Sequence, residues 1–326
     1  MRVVVVGVSA LALCLAGSLG MLRADFGPAV TIAVLRGDGV LVPIVTRTGS
    51  KWTNTWPEPA KAVDVPLGLD GIPKGWWGKP GVTSEVTVER PTWYLAHCQQ
   101  GVGLKTPLTA RPPIPPPTVQ PYPKLGLAST LPLSFKAIAP IDRSDPMWMT
   151  IVDAVGAATS KAEDAMAGPA QMNAFGKPMH PTPAAERAKV AARVEALYRV
   201  PYKSGQSLYY VEATKRYGMP PLAAAGKAPV PSPRDGCSVM TFANGFFVSG
   251  ADGTIPPPSL NVKVTSCDYD SVSVVLPLAV VGEGDAQVWI GQVTGSDYEA
   301  YAGFRWGEQG KVEDVFFTHG GWCVND

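Results

Sequence analysis

Asp268 and Asp270, in the stretch Ser266-Cys267-Asp268-Tyr269-Asp270-Ser271, are the acidic pair best spaced for shared chemistry. On a strand, residues two apart point to the same face, where two carboxylates could bind Ca²⁺ or divide acid and base work. In a loop, aspartates bond to neighbouring amides and make turns. The turn is the favoured expectation, because no second ligand cluster accompanies the pair. His319, in Thr-His-Gly-Gly-Trp-Cys, could complete a catalytic set with them, although a histidine beside Gly-Gly ordinarily sits at the surface. With only His97, His180 and His319 in the chain, histidines for metal binding or general-base work are scarce. No G-x-S-x-G elbow, S-x-x-K, H-E-x-x-H, Walker loop or G-x-G-x-x-G occurs. A secreted hydrolase using Asp268, Asp270 and His319, which could employ Ca²⁺, is the alternative expectation; the leading expectation implies no cofactor and no metal.

Tryptophan carries the second signal. Trp52, Trp56, Trp76, Trp77 and Trp93 place five of the nine tryptophans within the first hundred residues. The segments KWTNTWPEP and PKGWWGKP are rich in turn formers, which puts Trp52, Trp56, Trp76 and Trp77 forward as aromatic platforms for a glycan or an apolar peptide. The competing expectation is that a small β unit poor in Leu and Ile uses indoles as core filler, since each ring buries a large area.

Cysteine usage suits an oxidising compartment. Setting aside Cys14, the chain holds Cys98, Cys237, Cys267 and Cys323, an even number with no C-x-x-C pair. Cys237 and Cys267 lie equally far from Asp252, so a hairpin centred there would bring them face to face. Cys98 would then pair with Cys323; other connectivities stay open.

These groups must be positioned by elements that the composition constrains. Charges nearly cancel at +1 and only 17% of residues are charged, so no basic stripe invites nucleic acid. Gly 34 and Pro 33 call for many turns, while 46% hydrophobic residues in short bounded runs supply a core. Residues 1–24 read as a signal peptide, with one Arg on each side of the apolar run Val3 to Leu22. Export to a periplasmic or extracellular location follows, or a membrane anchor if the leader is retained.

The apolar runs Val30–Leu35, Val40–Val45, Ala62–Leu67, Glu85–Glu89 and Thr92–Ala96 predict a β unit over 25–106. The segment RPPIPPPTVQPYP, within a linker over 107–123, predicts an extended polyproline stretch. The remainder, 124–326, begins with helical patterns. Asp145-Pro146 is a cap and first-turn pair ahead of a stripe of Trp148, Ile151, Val155, Ala158, Ala162 and Ala165. Thr182-Pro183 opens a second helical pattern through Val190, Val194 and Leu197 that ends before Pro201. Strands follow from Leu208 to Thr318.

Two stretches share a frame. AVLRGDGVLVPI and FFVSGADGTIPPP both run from an apolar strand through Asp-Gly to a proline, and VDVPL and VVLPL follow in each half. Asp-Gly between apolar runs predicts a hairpin. The frame is compatible with a degenerate duplication of one β module. The second copy lacks the arginine of Arg36-Gly37-Asp38, so turn chemistry rather than an adhesion tripeptide is the expected content, with Arg36 incidental.

The expected fold is mainly antiparallel β, a β-rich α+β arrangement with a two-helix insertion, built as a sandwich or propeller. The expected function is an exported non-catalytic protein that binds a glycan or an envelope protein, or has a structural role in the cell envelope.

Overall fold

The computed structural model describes residues 28–54, 75–79, 85–96, 99–108, 124–136, 138–167, 179–218, 237–267, 272–295, 298–307 and 310–322. β1 (Val30–Arg36), β2 (Val40–Thr48), β3 (Lys51–Thr53), β4 (Gly75–Lys79), β5 (Glu85–Thr87), β6 (Arg90–Ala96), β7 (Gln99–Lys105) and β8 (Lys124–Ser129) form the N-terminal sheet. Its order is β5-β4-β8-β1-β2-β7-β6, with β3 also on β2. The strand that follows the proline-rich stretch, β8, is thus built in beside β1. β9 (Phe135–Lys136) and β10 (Ala139–Pro140) then carry the chain into two further sheets before α1 (Trp148–Ala167) and α2 (Ala184–Arg187).

β11 (Arg193–Pro201), β12 (Ser207–Gly218), β13 (Cys237–Val248) and β14 (Asn261–Thr265) complete a helix-backed sheet in the order β10-β11-β12-β13-β14. β15 (Val274–Val281), β16 (Val288–Thr294), β17 (Tyr298–Trp306) and β18 (Val312–Trp322) join β9 in a central sheet ordered β18-β17-β16-β15-β9. Pairing is antiparallel throughout these ladders. The mainly β class with two helices is what the alternating apolar runs and turn residues predict.

The sheets stack face to face, because each strand has two apolar sides to bury. Ile32, Val34, Val42 and Ile44 of the N-terminal sheet meet Ala279, Val281, Val288, Ile290 and Phe316 of the central sheet. On the other face of the central sheet, Val280, Trp289, Val293 and Ala300 meet Leu208, Tyr210 and Phe246 of the helix-backed sheet. β16, VWIGQVT, is therefore buried at every residue, as a strand covered on both sides must be. Tyr209, Val211, Ala213 and Phe247 point the opposite way and receive Ile151 and Val155 of α1.

Two local expectations are corrected. The second helical pattern shrinks to the single turn Ala184–Arg187, and Val194 and Leu197 lie instead on β11. Leu197 faces α1 while Val200 faces the central sheet, so the strand buries both sides and its spacing imitates a helix. In α1 the buried face runs through Ile151, Val155, Thr159, Glu163 and Met166, leaving Ala165 exposed. The stripe expected through Ala158, Ala162 and Ala165 is displaced because Glu163 finds a buried cation. Asp145 does serve the start of α1, its Oδ1 accepting the Met147 amide at 2.9 Å.

Both Asp-Gly hairpins form, with a shared turn. The Gly39 amide donates to Arg36 O at 3.0 Å, and the Gly253 amide donates to Gly250 O at 3.0 Å. In each, the aspartate Oδ1 accepts the amide two residues on, from Val40 or Thr254. The final glycine of each turn takes positive φ, 79° at Gly39 and 83° at Gly253. Three residues separate the flanking positions Arg36 and Val40, or Gly250 and Thr254, so these are three-residue loops rather than two-residue I′ turns. The later VDVPL segment lies outside the described residues, whereas VVLPL forms part of β15.

Candidate functional site

Residues of β13 line two clefts, together with the β17–β18 hairpin of the central sheet. The first, of about 490 Å³, is lined by Phe246, Phe304, Trp306 and Val312, with Tyr210 and Asn244 in its depth and Ser259 and Asn261 at its rim. The second, of about 560 Å³, is lined by Tyr202, Gln206, Ser249, Thr254, Asp285 and again Trp306. Both volumes fall in the range of about 300–1,000 Å³ typical of small-ligand sites.

Trp306 ends β17, paired with Val312 across the hairpin to β18. Gly310 takes φ 69° in that turn, and its Cα side lies against the indole, where an added Cβ would stand 3.8 Å from the ring. Phe246 packs edge-on to Trp289 at 5.4 Å and tilted to Phe304 at 5.4 Å, so the aromatic wall is held by the core.

Behind the first cleft lies a buried carboxyl. Tyr210 Oη donates to Glu212 Oε1 at 2.6 Å, the Val275 amide donates to the same oxygen at 2.7 Å, and Asn244 Nδ2 donates to Tyr210 Oη at 3.3 Å. Burial pushes the Glu212 carboxyl up to about 7; hydrogen bonds from Tyr210 and Val275 oppose this, and Glu195 adds to it. In the second cleft the charges are matched locally. Lys203 Nζ stands 2.7 Å from Asp285 Oδ1, and Tyr202 Oη donates to that oxygen at 2.5 Å. Lys203 first, then Tyr202, holds the Asp285 carboxyl below its usual range, while burial and Asp285 push the Tyr202 phenol up to about 12.

Two other polar clusters are internal. Glu163 of α1 accepts from Lys215 Nζ at 2.7 Å and Tyr217 Oη at 2.5 Å, with His180 Nε2 at 3.4 Å and Thr241 beside it. Burial would raise the Glu163 carboxyl; hydrogen bonds from His180, Lys215, Thr241 and Tyr217 outweigh it and bring it to about 2. Arg36 is not incidental. Its guanidinium lies 4.9 Å from the Tyr94 ring centre, 3.3 Å from Asp38 and 3.6 Å from Glu299 of the central sheet, and the side chain is 11% exposed.

The residues singled out from sequence fare unevenly. Trp76 is fully buried among Ala33, Leu35, Leu41 and Leu104, where it offers no free face and acts as core filler. Trp52 stacks on Phe316 at 5.7 Å with Arg47 near its other side. Trp77 lies on β4, and Trp56 lies outside the described residues. His319 is exposed on β18 against Phe317, and Asp268 and Asp270 lie outside the described residues. Cys237 and Cys267 form a disulfide with Cα atoms 6.0 Å apart, as the hairpin arithmetic predicts. Met240 opposes Thr265 and Asn244 opposes Asn261, which centres the β13–β14 ladder between Asp252 and Gly253. Cys98 and Cys323 lie outside the described residues, as does the leader.

The disulfide is compatible with an extracytoplasmic location. Among the described residues no helix is long and apolar enough to cross a membrane.

Tryptophan density in the sequence points to the N-terminal segments, whereas the aromatic wall is built from Trp306, Phe246 and Phe304. The cue existed: Phe-Arg-Trp-Gly places an indole directly before a turn. Glu212 was legible too, as a lone carboxylate inside the apolar run LYYVEA. No protein-family model matches the chain, and comparison with curated proteins and with solved structures likewise finds no match.

Proposed function

We propose that this is an exported, non-catalytic binding protein of the cell envelope that takes its ligand in the aromatic-walled cleft between the helix-backed and central sheets. The observation that carries this is Trp306, half-buried beside Phe304 and Phe246, over a depth furnished by Tyr210 and Asn244. Fixed aromatic faces, the neutral polar groups of Tyr210, Asn244, Ser259 and Asn261, and the oppositely charged Lys311 and Asp314 at the exposed edge suit a ligand with an apolar ring face and hydroxyl edges, such as a glycan. This keeps the expected use of aromatic platforms and moves it from the N-terminal tryptophans to the other end of the chain.

Catalysis draws on one observation, the raised carboxyl of Glu212. Tyr210 and Asn244 line the cleft and Glu212 does not; its Oε1 accepts from Tyr210 Oη, which in turn accepts from Asn244 Nδ2. Binding is therefore preferred to hydrolysis. Tryptophan fluorescence during titration with soluble glycans and envelope fragments tests the proposal. A perturbation that is absent from Trp306→Ala and present in Trp93→Ala supports it. An unperturbed spectrum with every ligand sinks it.

A further inference from the structure

The two clefts border one another along the same three chain segments. β13 contributes Gly245 and Phe246 to the first and Val248, Ser249 and Gly250 to the second. The segment after the Asp252 turn contributes Ser259, Leu260 and Asn261 to the first and Thr254 and Pro256 to the second. The β17–β18 hairpin contributes Gly310, Lys311 and Val312 to the first and Gly307 to the second, with Trp306 in both. Three segments pass both sites in order, so the clefts lie end to end along β13 with the indole at their junction. Phe246 and Val248 are two apart on that strand and pack in the same core, which makes one side of the strand continuous under both clefts.

From this we infer that the clefts form one groove that takes a linear, uncharged oligosaccharide across Trp306, with Tyr202 bounding the far subsite. The inference rests on the binding role proposed above and names its ligand class. The absence of charge on the ligand follows from the second cleft, where Lys203 and Asp285 neutralise each other at 2.7 Å and Tyr202 donates to the same carboxylate. Neither of these two ions is left to answer a charge on the ligand, and the first cleft adds the exposed Lys311 and Asp314, which are of opposite sign, so the lining of the groove carries no net charge. Ser249, Ser259 and Asn261 can both donate and accept, while Thr254 Oγ1, which donates to Asp252 at 2.7 Å, and Gln206, whose Nε2 donates to Ser249 O at 3.2 Å, retain acceptor capacity. The lining therefore suits partners that both donate and accept. Sugar hydroxyls do both. An extended proline-rich peptide offers chiefly carbonyl acceptors, because each proline lacks an N–H, and the phenol proton of Tyr202 is already committed to Asp285.

The length of the ligand separates this inference from the reading it rests on. Uncharged linear oligomers of glucose, mannose and N-acetylglucosamine, from the single ring upward, are titrated calorimetrically against the full chain. A proline-rich peptide and a uronic acid oligomer are run beside them. If one ligand fills both clefts, affinity in at least one neutral series rises by about tenfold or more once the oligomer is long enough to pass Trp306, because the second subsite is engaged intramolecularly. Tyr202→Ala then abolishes that gain and leaves the affinity for the shortest binding oligomer unchanged. Trp306→Phe, which keeps an aromatic ring for packing, weakens every length, with urea unfolding confirming that the variant is folded. Equal affinity for short and long oligomers, or a Tyr202→Ala loss that is independent of length, overturns the two-cleft groove while leaving a single-cleft binding protein in place. Preference for the uronic acid oligomer or the peptide overturns the ligand class. No binding by any glycan overturns both.

Discussion

Lys215 Nζ of β12 donates to Glu163 Oε2 of α1 at 2.7 Å, and both side chains are almost wholly shielded from water. This contact, with Tyr217 and His180 on the other carboxylate oxygen, is how the helix is held to the sheet at its C-terminal half. Nearer the start of α1, Ile151 and Val155 do the same by apolar packing.

Removing one partner leaves a buried charge without compensation. Lys215→Met is expected to cost about 3–5 kcal/mol, and the double variant Glu163→Leu/Lys215→Met much less, because neither charge then remains to be desolvated. Urea unfolding of the single and double variants checks this. A double variant as unstable as the single one would show that the pair acts through something other than charge.

Glu212 and Glu163 give opposite slopes of stability with pH. Glu212 titrates at about 7 in the folded protein against 4.5 ordinarily, so the folded state binds more protons over that interval. Its contribution is greatest below 4.5 and is lost as pH rises to 7, by at most about 3 kcal/mol. Glu163 titrates at about 2, so its contribution is present above 4.5 and is lost as pH falls towards 2. Unfolding free energies across this range should show Glu212→Gln flattening the neutral limb and Glu163→Gln flattening the acid limb.

The Cys237–Cys267 disulfide closes a segment of sequence separation 30 that contains the β13–β14 hairpin. Its reduction is expected to destabilise the protein by about 3–4 kcal/mol through the freed unfolded chain. Comparing urea midpoints of the wild type and the Cys237→Ala/Cys267→Ala variant measures the effect. Equal midpoints would mean that the β13–β14 ladder and the hydrogen-bonded Asp252 turn already restrict the chain as much.

Arg36 reaches Glu299 across the interface of the N-terminal and central sheets, and Tyr301 donates to Glu299 from the same strand. Burial opposes the guanidinium charge, but Tyr301, Glu299 and Asp38 favour it and hold it firmly protonated. Arg36→Met is expected to cost about 3–5 kcal/mol by stranding Glu299. An arginine so engaged is not presented to a receptor, so Asp38→Glu should leave cell attachment unchanged. Loss of attachment in that variant would restore the adhesion reading.

Much of the fold was legible locally. Val30–Leu35, Val40–Val45 and Val312–Thr318 read as strands because β-branched and aromatic residues recur between turn formers, and each lies within a strand. The Cys237–Cys267 bridge was legible because hairpin register is arithmetic once the turn is known. β11 was not, since a strand buried on both sides loses the alternation that distinguishes it from a helix. The candidate site was least legible. Trp306 and Trp76 look equally exposed in sequence, each beside glycine, yet one borders two clefts and the other fills a core.

By itself, the order of residues determined the antiparallel β class, the Asp-Gly turns, the start of α1 and one disulfide. Each depends on interactions between near neighbours or on a symmetric count about a turn. Tertiary structure alone decided that the central sheet is covered on both faces, that Glu163 and Arg36 lie inside, and that Trp306 stands at a cleft. Those outcomes depend on which distant strand arrives to exclude water from a side chain, and local spacing carries no record of that arrival.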